Sequence, residues 1–290
     1  MSGHRDSKII EDAIYHTYIR FFEIAEDRRR WNLFKDIPWD KTNPNATELL
    51  GDFVEQFCGV ELYLPDYTAK LMHTLRRSRG RGWFLANWGY EESKHSLTLE
   101  KWLITSGKRT EENVRNFSDV VLEGEWDLPF SEPRQMMIYG MIQELATHVN
   151  YKRLRQMARD EGDNALAVAL RFIAIDEMSH FGFYRDVVKV YMAIDEDNTK
   201  ADIAYVFKHF VMPAQKIVPG AEERSHRMAE SGLYGPREYI KLVKEPIETA
   251  LGLGNIKQLQ HQYLAVDGRP KSFIVPAVSG LGSLVTTQEE

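Results

Sequence analysis

Two short stretches place a glutamate and a histidine three residues apart: Glu92 and His95 in "WGYEESKHSLTLEKW", Glu177 and His180 in "IAIDEMSHFGFY". In a helix those positions share a face one turn apart, so a carboxylate and an imidazole can reach one metal ion. The bare pattern carries little weight. A third match, Glu223 and His226 in "AEERSHRMAE", sits among Glu222, Arg224, Arg227 and Glu230 and reads as polar surface. The window around Glu177 differs, because Ile173, Ile175, Met178, Phe181 and Phe183 make every face of it apolar. Asp176, Glu177 and His180 buried there need partners, since isolated buried charges are very costly. A metal cluster is one such partner and a salt-bridge network is the other.

A carboxylate-bridged pair of metal ions in a four-helix bundle takes one glutamate from each of two helices and a Glu-x-x-His from each of the other two. Four carboxylates neutralise two divalent ions, two of them can bridge, and one imidazole per ion leaves positions open for oxygen. Two single glutamates stand out as acids on otherwise apolar faces. Glu61, in "EQFCGVELYLPDY", is flanked by Phe57, Cys58, Val60, Leu62 and Leu64; Glu144, in "MMIYGMIQELATHVNY", follows Met137, Ile138, Met141 and Ile142. Each alone could equally be half of a structural ion pair.

The elements that must position these residues are long helices. Periodicity predicts them at about 6–29, 47–78, 82–106, 110–122, 132–161, 164–193, 198–211, 221–231 and 236–252. "SRGRG" is expected to break the second from the third, "LPFSEP" to precede the fifth, and Asp163 to cap the sixth. Intervals of 31 residues from Glu61 to Glu92 and 33 from Glu144 to Glu177 match one step between antiparallel neighbours. The 52 residues from Glu92 to Glu144 leave room for a crossover. Hairpin, crossover, hairpin is the connectivity of a ferritin-like bundle, and Glu223 fits no such step. A di-metal site at Glu61, Glu92, His95, Glu144, Glu177 and His180 follows. Pro65 should bend its helix beside Glu61, whose carbonyl it cannot satisfy.

The expected fold is therefore all-α: a ferritin-like four-helix bundle (core about 47–193) with flanking helices inside one domain, 1–266, and an irregular tail, 267–290. Charge and composition agree. The 290 residues are 43% hydrophobic and 28% charged, and no run approaches a membrane span. A net charge of −6 argues against general nucleic-acid binding, and the single cysteine, Cys58, excludes a disulfide framework. The N-terminus is amphipathic with no apolar signal core, so a cytoplasmic location is expected.

These residues resemble the soluble acyl-[acyl carrier protein] desaturases, the stearoyl-desaturase-like family of the ferritin-like superfamily. The likeness runs from "RRRWNLFKDIPWD" to "FKHFVMPAQKIVPG" and is most specific in "VELYLPDY", "EESKHSLTLEKWLITSGK", "QELATHVNYKRLRQMARDEGD" and "DEMSHFGFYRDVVKVYMAIDED". By the family pattern the same six residues would hold two irons. The resemblance implies Thr147 as a hydroxyl beside the oxygen-binding face, against a plain intrahelical bond to the Gln143 carbonyl. It implies an electron route through Trp31, His95 and Asp176, with Trp31 as core packing the alternative; Asp176 could orient His95 from behind. His148 is not a ligand in the family. Leu62 stands where members of the family carry a second glutamate, and the chain is shorter than the plant enzymes and lacks their plastid-targeting extension, which puts chain length and double-bond position in question.

The activity so implied is O2-dependent desaturation of an acyl chain carried on acyl carrier protein, with two electrons from a ferredoxin-type donor and a homodimeric enzyme. Leu71, Trp88, Met137, Gly140 and Met141 could line an acyl channel or simply pack the core. Arg28, Arg29, Arg30 and the Arg76–Arg81 run could dock the acidic carrier or be solvated helix ends. Two rivals share the fold: a carrier-linked hydroxylase or N-oxygenase, and a non-enzymatic iron-binding protein.

Overall fold

The computed structural model describes residues 5–213, 217–231, 236–265 and 267–271, so the expected tail lies largely outside the described residues. Twelve helices are described: α1 (Lys8–Ile24), α2 (Glu48–Glu61), α3 (Leu64–Leu75), α4 (Arg79–Thr105), α5 (Glu111–Leu122), α6 (Pro133–Asp160), α7 (Asn164–Ile194), α8 (Glu196–His209), α9 (Ala221–Glu230), α10 (Pro236–Tyr239), α11 (Glu245–Ala250) and α12 (Ile256–Tyr263). Wider π-type turns at Ala25–Arg29 and Ile240–Lys244 extend α1 and join α10 to α11. No described helix is long and apolar enough to cross a membrane.

The helix expected over 47–78 is two helices. Pro65 enters the first turn of α3, and with no N–H there the chain breaks at Leu62 and Tyr63 instead of bending. The side chain of Tyr67 makes up part of the loss, its hydroxyl donating to the Val60 carbonyl at 2.9 Å. The break therefore falls immediately after Glu61. The "SRGRG" boundary is also displaced. Arg79, Gly80, Arg81 and Gly82 form the first turn of α4, and the break lies just before them. Gly80 is needed there, since a Cβ would lie 2.9 Å from backbone atoms of Ile14 and Tyr15 where α1 crosses.

Asp163 does cap α7, accepting from Leu166 N at 2.8 Å, and its other oxygen binds Trp102 Nε1 at 2.8 Å. Along α4 and α7 the apolar residues divide into two clusters. Phe84, Leu85 and Trp88 on α4 meet Phe181, Tyr184 and Val187 on α7; Leu99, Trp102 and Leu103 meet Leu166, Leu170 and Ile173. Between the two lies a buried polar layer.

Candidate metal centre

That layer is assembled from the C-terminal end of α2 and the middles of α4, α6 and α7. Glu61, Glu92, His95, Glu144, Glu177 and His180 are all at most 5% exposed. They form two groups whose ligand atoms lie within 4.8 Å of one another: Glu61, Glu92, His95 and Glu177, and Glu92, Glu144, Glu177 and His180. Glu92 and Glu177 belong to both. Glu92 turns Oε2 to His95 Nδ1 (3.3 Å) and Oε1 to His180 Nδ1 (3.0 Å). Glu177 likewise turns Oε1 to His95 Nδ1 (3.3 Å) and Oε2 to His180 Nδ1 (3.7 Å). Glu92 and Glu177 thus each offer one oxygen to each group, while Glu61 and Glu144 each belong to one group.

Two divalent cations fit this donor set. Glu92 Oε1, Glu177 Oε1 and His180 Nδ1 are buried, and the contacts of 3.0 and 3.3 Å just described do not have the direction of hydrogen bonds, so all three atoms remain available to a cation. Burial and the neighbouring charges of Glu92 and Glu177 push the Glu61 carboxyl well above its ordinary range. Burial and Glu177 do the same to Glu144. Four carboxylates crowded together without a bonded lysine or arginine, among the described residues, call for cations between them.

The outward nitrogens are supported crosswise. His95 Nε2 faces Asp176 Oδ2 at 3.3 Å, and His180 Nε2 faces Glu91 Oε2 at 2.7 Å. Asp176 precedes Glu177 on α7 yet backs the histidine of α4; Glu91 precedes Glu92 on α4 yet backs the histidine of α7. Hydrogen bonds of this kind fix the imidazole tautomer and aim Nδ1 inward. Burial would raise the Asp176 carboxyl, but His95 and Arg29 outweigh it and hold it down at about 2. Trp31 Nε1 also donates to Asp176 Oδ2, at 2.7 Å, and its ring stacks on Phe172 with centroids 5.3 Å apart. The chain Trp31–Asp176–His95 is thus continuous.

Glu91 is a residue the spacing argument passed over, although an acid–Glu-x-x-His repeat is legible in both segments. Tyr151, seven residues beyond Glu144 on the same helix face, was passed over as well; its hydroxyl donates to Glu61 Oε1 at 2.5 Å. Thr147 is half-buried, and its hydroxyl donates to the Gln143 carbonyl at 3.0 Å. His148 stands apart from the ligands, its Nδ1 on the Ala174 carbonyl at 2.6 Å. Glu223 is exposed, and His226 pairs with Glu230 on the surface.

Beside the centre a narrow slot of about 20 Å³ is lined by Tyr67, Leu71, Trp88, Met136, Gly140 and Tyr184, among others. Burial raises the phenols of Tyr67 and Tyr184, and so do site carboxylates, Glu61 for the first and Glu144 for the second. Trp88 and Gly140 each lie one turn before a site carboxylate, Glu92 and Glu144, on the same helix, so the slot lies next to the centre. Of the residues expected along a channel, Leu71, Trp88 and Gly140 line this slot. Met137 and Met141 do not, because the slot runs along the α6 face of Met136, Gly140 and Gln143, and both methionines point into the core.

The arginine expectation needs a larger correction. Arg29 is 7% exposed, with Nη1 on Asp176 at 2.6 Å and Nη2 on Glu91 at 2.9 Å, so it is not free to dock a carrier. Arg30 is half-buried against Glu91, Glu26 and Asn87. Arg81 is fully buried between Asp6 and Glu11. Arg28, Arg76, Arg77 and Arg79 remain at the surface.

Fold and site together define a ferritin-like helical protein built around buried carboxylate–histidine groups that could hold metal. A family model described as "Fatty acid desaturase" matches residues 49–264, and the chain belongs to that family. Over 240 residues it is 28% identical to stearoyl-[acyl-carrier-protein] 9-desaturase 4 of Arabidopsis thaliana, covering 78% of this chain and 57% of the relative. It is 28% identical to the acyl-[acyl-carrier-protein] 6-desaturase of Thunbergia alata over 168 residues, 55% of this chain and 43% of the relative. The chain thus spans about half the length of these curated relatives. Among solved structures, DesA2 of Mycobacterium tuberculosis H37Rv, described as a candidate acyl-ACP desaturase, shares the fold. Its TM-score is 0.65 at 17% identity, with 87% of this chain and 99% of that chain covered.

Proposed function

We propose that this chain is an O2-dependent di-iron desaturase that introduces a cis double bond into a fatty acyl chain carried on acyl carrier protein, in fatty acid biosynthesis. The observation that carries the reading is the pair of four-residue groups sharing Glu92 and Glu177. The names of the relatives, acyl-[acyl-carrier-protein] desaturases, support the substrate class. Glu61, Glu92, His95, Glu144, Glu177 and His180 hold the metals. A bound iron pair supplies the O2 activation needed to remove two hydrogens from adjacent methylenes.

The protein's own part is positioning and insulation. Methylenes along a chain are chemically alike, so selectivity comes from which pair the slot presents. Tyr67, Trp88, Gly140 and Tyr184 set its width, and these apolar and aromatic walls exclude water from the reacting carbons. Reducing O2 to two waters takes four electrons, two of which leave with the substrate hydrogens. The other two come from a ferredoxin-type donor, along Trp31, Asp176 and His95. Thr147 supplies a hydroxyl beside the centre by rotating away from Gln143. Arg28 with Arg76, Arg77 and Arg79 is the basic surface left for the acidic carrier. The enzyme works as a homodimer in the cytoplasm.

Iron content and the optical spectrum of the purified protein test the centre. About two irons per chain, with oxo-bridged absorption lost in Glu177→Ala and His180→Ala, is the expected result. Product analysis with acyl carrier substrates, reduced ferredoxin and O2 then separates an alkene from a hydroxylated product. A protein that takes up no iron on anaerobic reconstitution would refute the reading and leave a buried polar network.

A further inference from the structure

Behind the histidines lies an arrangement that the ligand set does not require. Asp176 gives Oδ2 to His95 and Oδ1 to Arg29; Glu91 gives Oε2 to His180 and Oε1 to Arg29. One guanidinium thereby closes an arc, His95–Asp176–Arg29–Glu91–His180, that starts on one metal subsite and ends on the other. The arginine reaches this position because the chain leaves α1 through a wider turn, in which Arg30 N bonds the Ala25 carbonyl at 3.1 Å. Its Cζ lies over the Phe21 ring, 4.9 Å from the centroid.

We infer that Arg29 is a positioning residue that couples the two metal subsites. Neither histidine is touched by it. Arg30 also holds Glu91 and Trp31 also holds Asp176, but Arg29 alone ties the two supporting acids to each other, and through them the direction of both Nδ1 lone pairs. The planar fork of a guanidinium can hold two carboxylates in one geometry, which a lysine ammonium on a flexible stem cannot. The partner groups come from α4 and α7, whose histidines belong to different subsites, so a shift of Arg29 disturbs both. The inference rests on the di-metal reading of the site and adds to it a residue outside the ligand set.

Anaerobic Co(II) titration against a competing chelator, read by visible absorption, tests this on the full chain. Wild type should take up two ions. Arg29→Met should lose about 10- to 100-fold in affinity at both, the effect expected of an outer hydrogen-bond partner. Arg29→Lys, able to serve only one acid at a time, should keep one ion near wild-type affinity and weaken the other, splitting the isotherm into two steps. A purely structural ion pair would lower the melting temperature but leave the affinity and Co(II) spectrum of the folded protein unchanged. Arg29→Met with wild-type affinity and spectrum overturns the inference. If that variant does not fold, Arg29→Lys with two equal wild-type affinities does so. Wild type that binds no Co(II) sinks the di-metal reading itself, a result distinguishable from either.

Discussion

Replacing Glu61 and replacing Glu177 should have unequal consequences, although both are buried carboxylates of one cluster. Glu61 belongs to one four-residue group and Glu177 to both. Glutamine at either position keeps the side-chain volume and removes one charge; at position 61 it also keeps an oxygen for the Tyr151 hydroxyl. An ion held at 100 times its dissociation constant stabilises the fold by about 2.7 kcal/mol. Domains of ~150–250 residues gain roughly 2–4 °C per kcal/mol, so each ion should raise the melting temperature by about 5–10 °C and two ions by about 10–20 °C. Anaerobic Fe(II) should therefore raise wild type by the full amount, Glu61→Gln by about half and Glu177→Gln by little. Thermal melts with and without Fe(II), paired with iron analysis, read this directly. A full shift in Glu177→Gln, or a complete loss in Glu61→Gln with one ion's shift surviving in Glu177→Gln, would show that the bridging assignment is wrong.

Other perturbations probe the scaffold. Arg81→Met removes the cation from the Glu11 carboxylate, 7% exposed, and leaves it only the Ser78 hydroxyl and the Asp6 N–H as donors; it should destabilise by about 3–5 kcal/mol in denaturant melts. Gly140→Ala brings a Cβ within 2.6 Å of the Tyr184 ring. It should cost roughly 1–3 kcal/mol and, by forcing that ring toward the slot, change the chain-length profile of any product. Tyr151→Phe removes the donor on Glu61 and should weaken metal binding about 10-fold in chelator competition, with the fold intact by circular dichroism. Asp52 is raised by burial but lowered further by Arg227 and Arg109, so its folded pKa lies below the unfolded value of about 3.9. Its contribution is therefore present above that pH and lost as pH falls through the folded value. The stability gap between wild type and Asp52→Asn should stay constant at neutral pH and close below about pH 4.

How much of this was legible in the sequence differs by residue for physical reasons. Helix existence and the interval between ligands follow from periodicity and rise per residue, which depend little on tertiary context. The break after Glu61 was under-read: a proline seen in sequence predicts a lost hydrogen bond, but whether the helix bends or stops depends on what captures the freed carbonyls, here in part Tyr67. Arg29 and Arg81 were misplaced for a related reason. Runs of arginine read as surface because burying a guanidinium is costly, and only three-dimensional proximity reveals carboxylates that offset the cost. Along α6 the slot is lined by Met136, Gly140 and Gln143, of which the sequence reading named only Gly140. Spacing from Glu144 picks out Met137 and Met141 as readily as Met136 and Gln143, and only the position of Tyr184 against Gly140 settles which side is hollow.

The charge pattern gives a reason for the crosswise supports. Six carboxylates lie buried around the centre: Glu61, Glu91, Glu92, Glu144, Asp176 and Glu177. Two of them, Glu91 and Asp176, are matched within the chain by Arg29 and Arg30. Glu61, Glu92, Glu144 and Glu177 have no such match among the described residues, and their combined charge is the one that two divalent ions cancel. Had an arginine been bonded to a ligand carboxylate, it would have competed with the metal for that oxygen. Placed instead behind the histidines, it neutralises the acids that aim the imidazoles and takes up none of the inner carboxylate oxygens. Under the proposed function, the separation of roles into an inner set for metal and an outer set that needs none also explains why Glu91 and Asp176 immediately precede Glu92 and Glu177. Adjacent helical positions point about 100° apart, so one acid faces inward while its neighbour reaches across to the opposite helix.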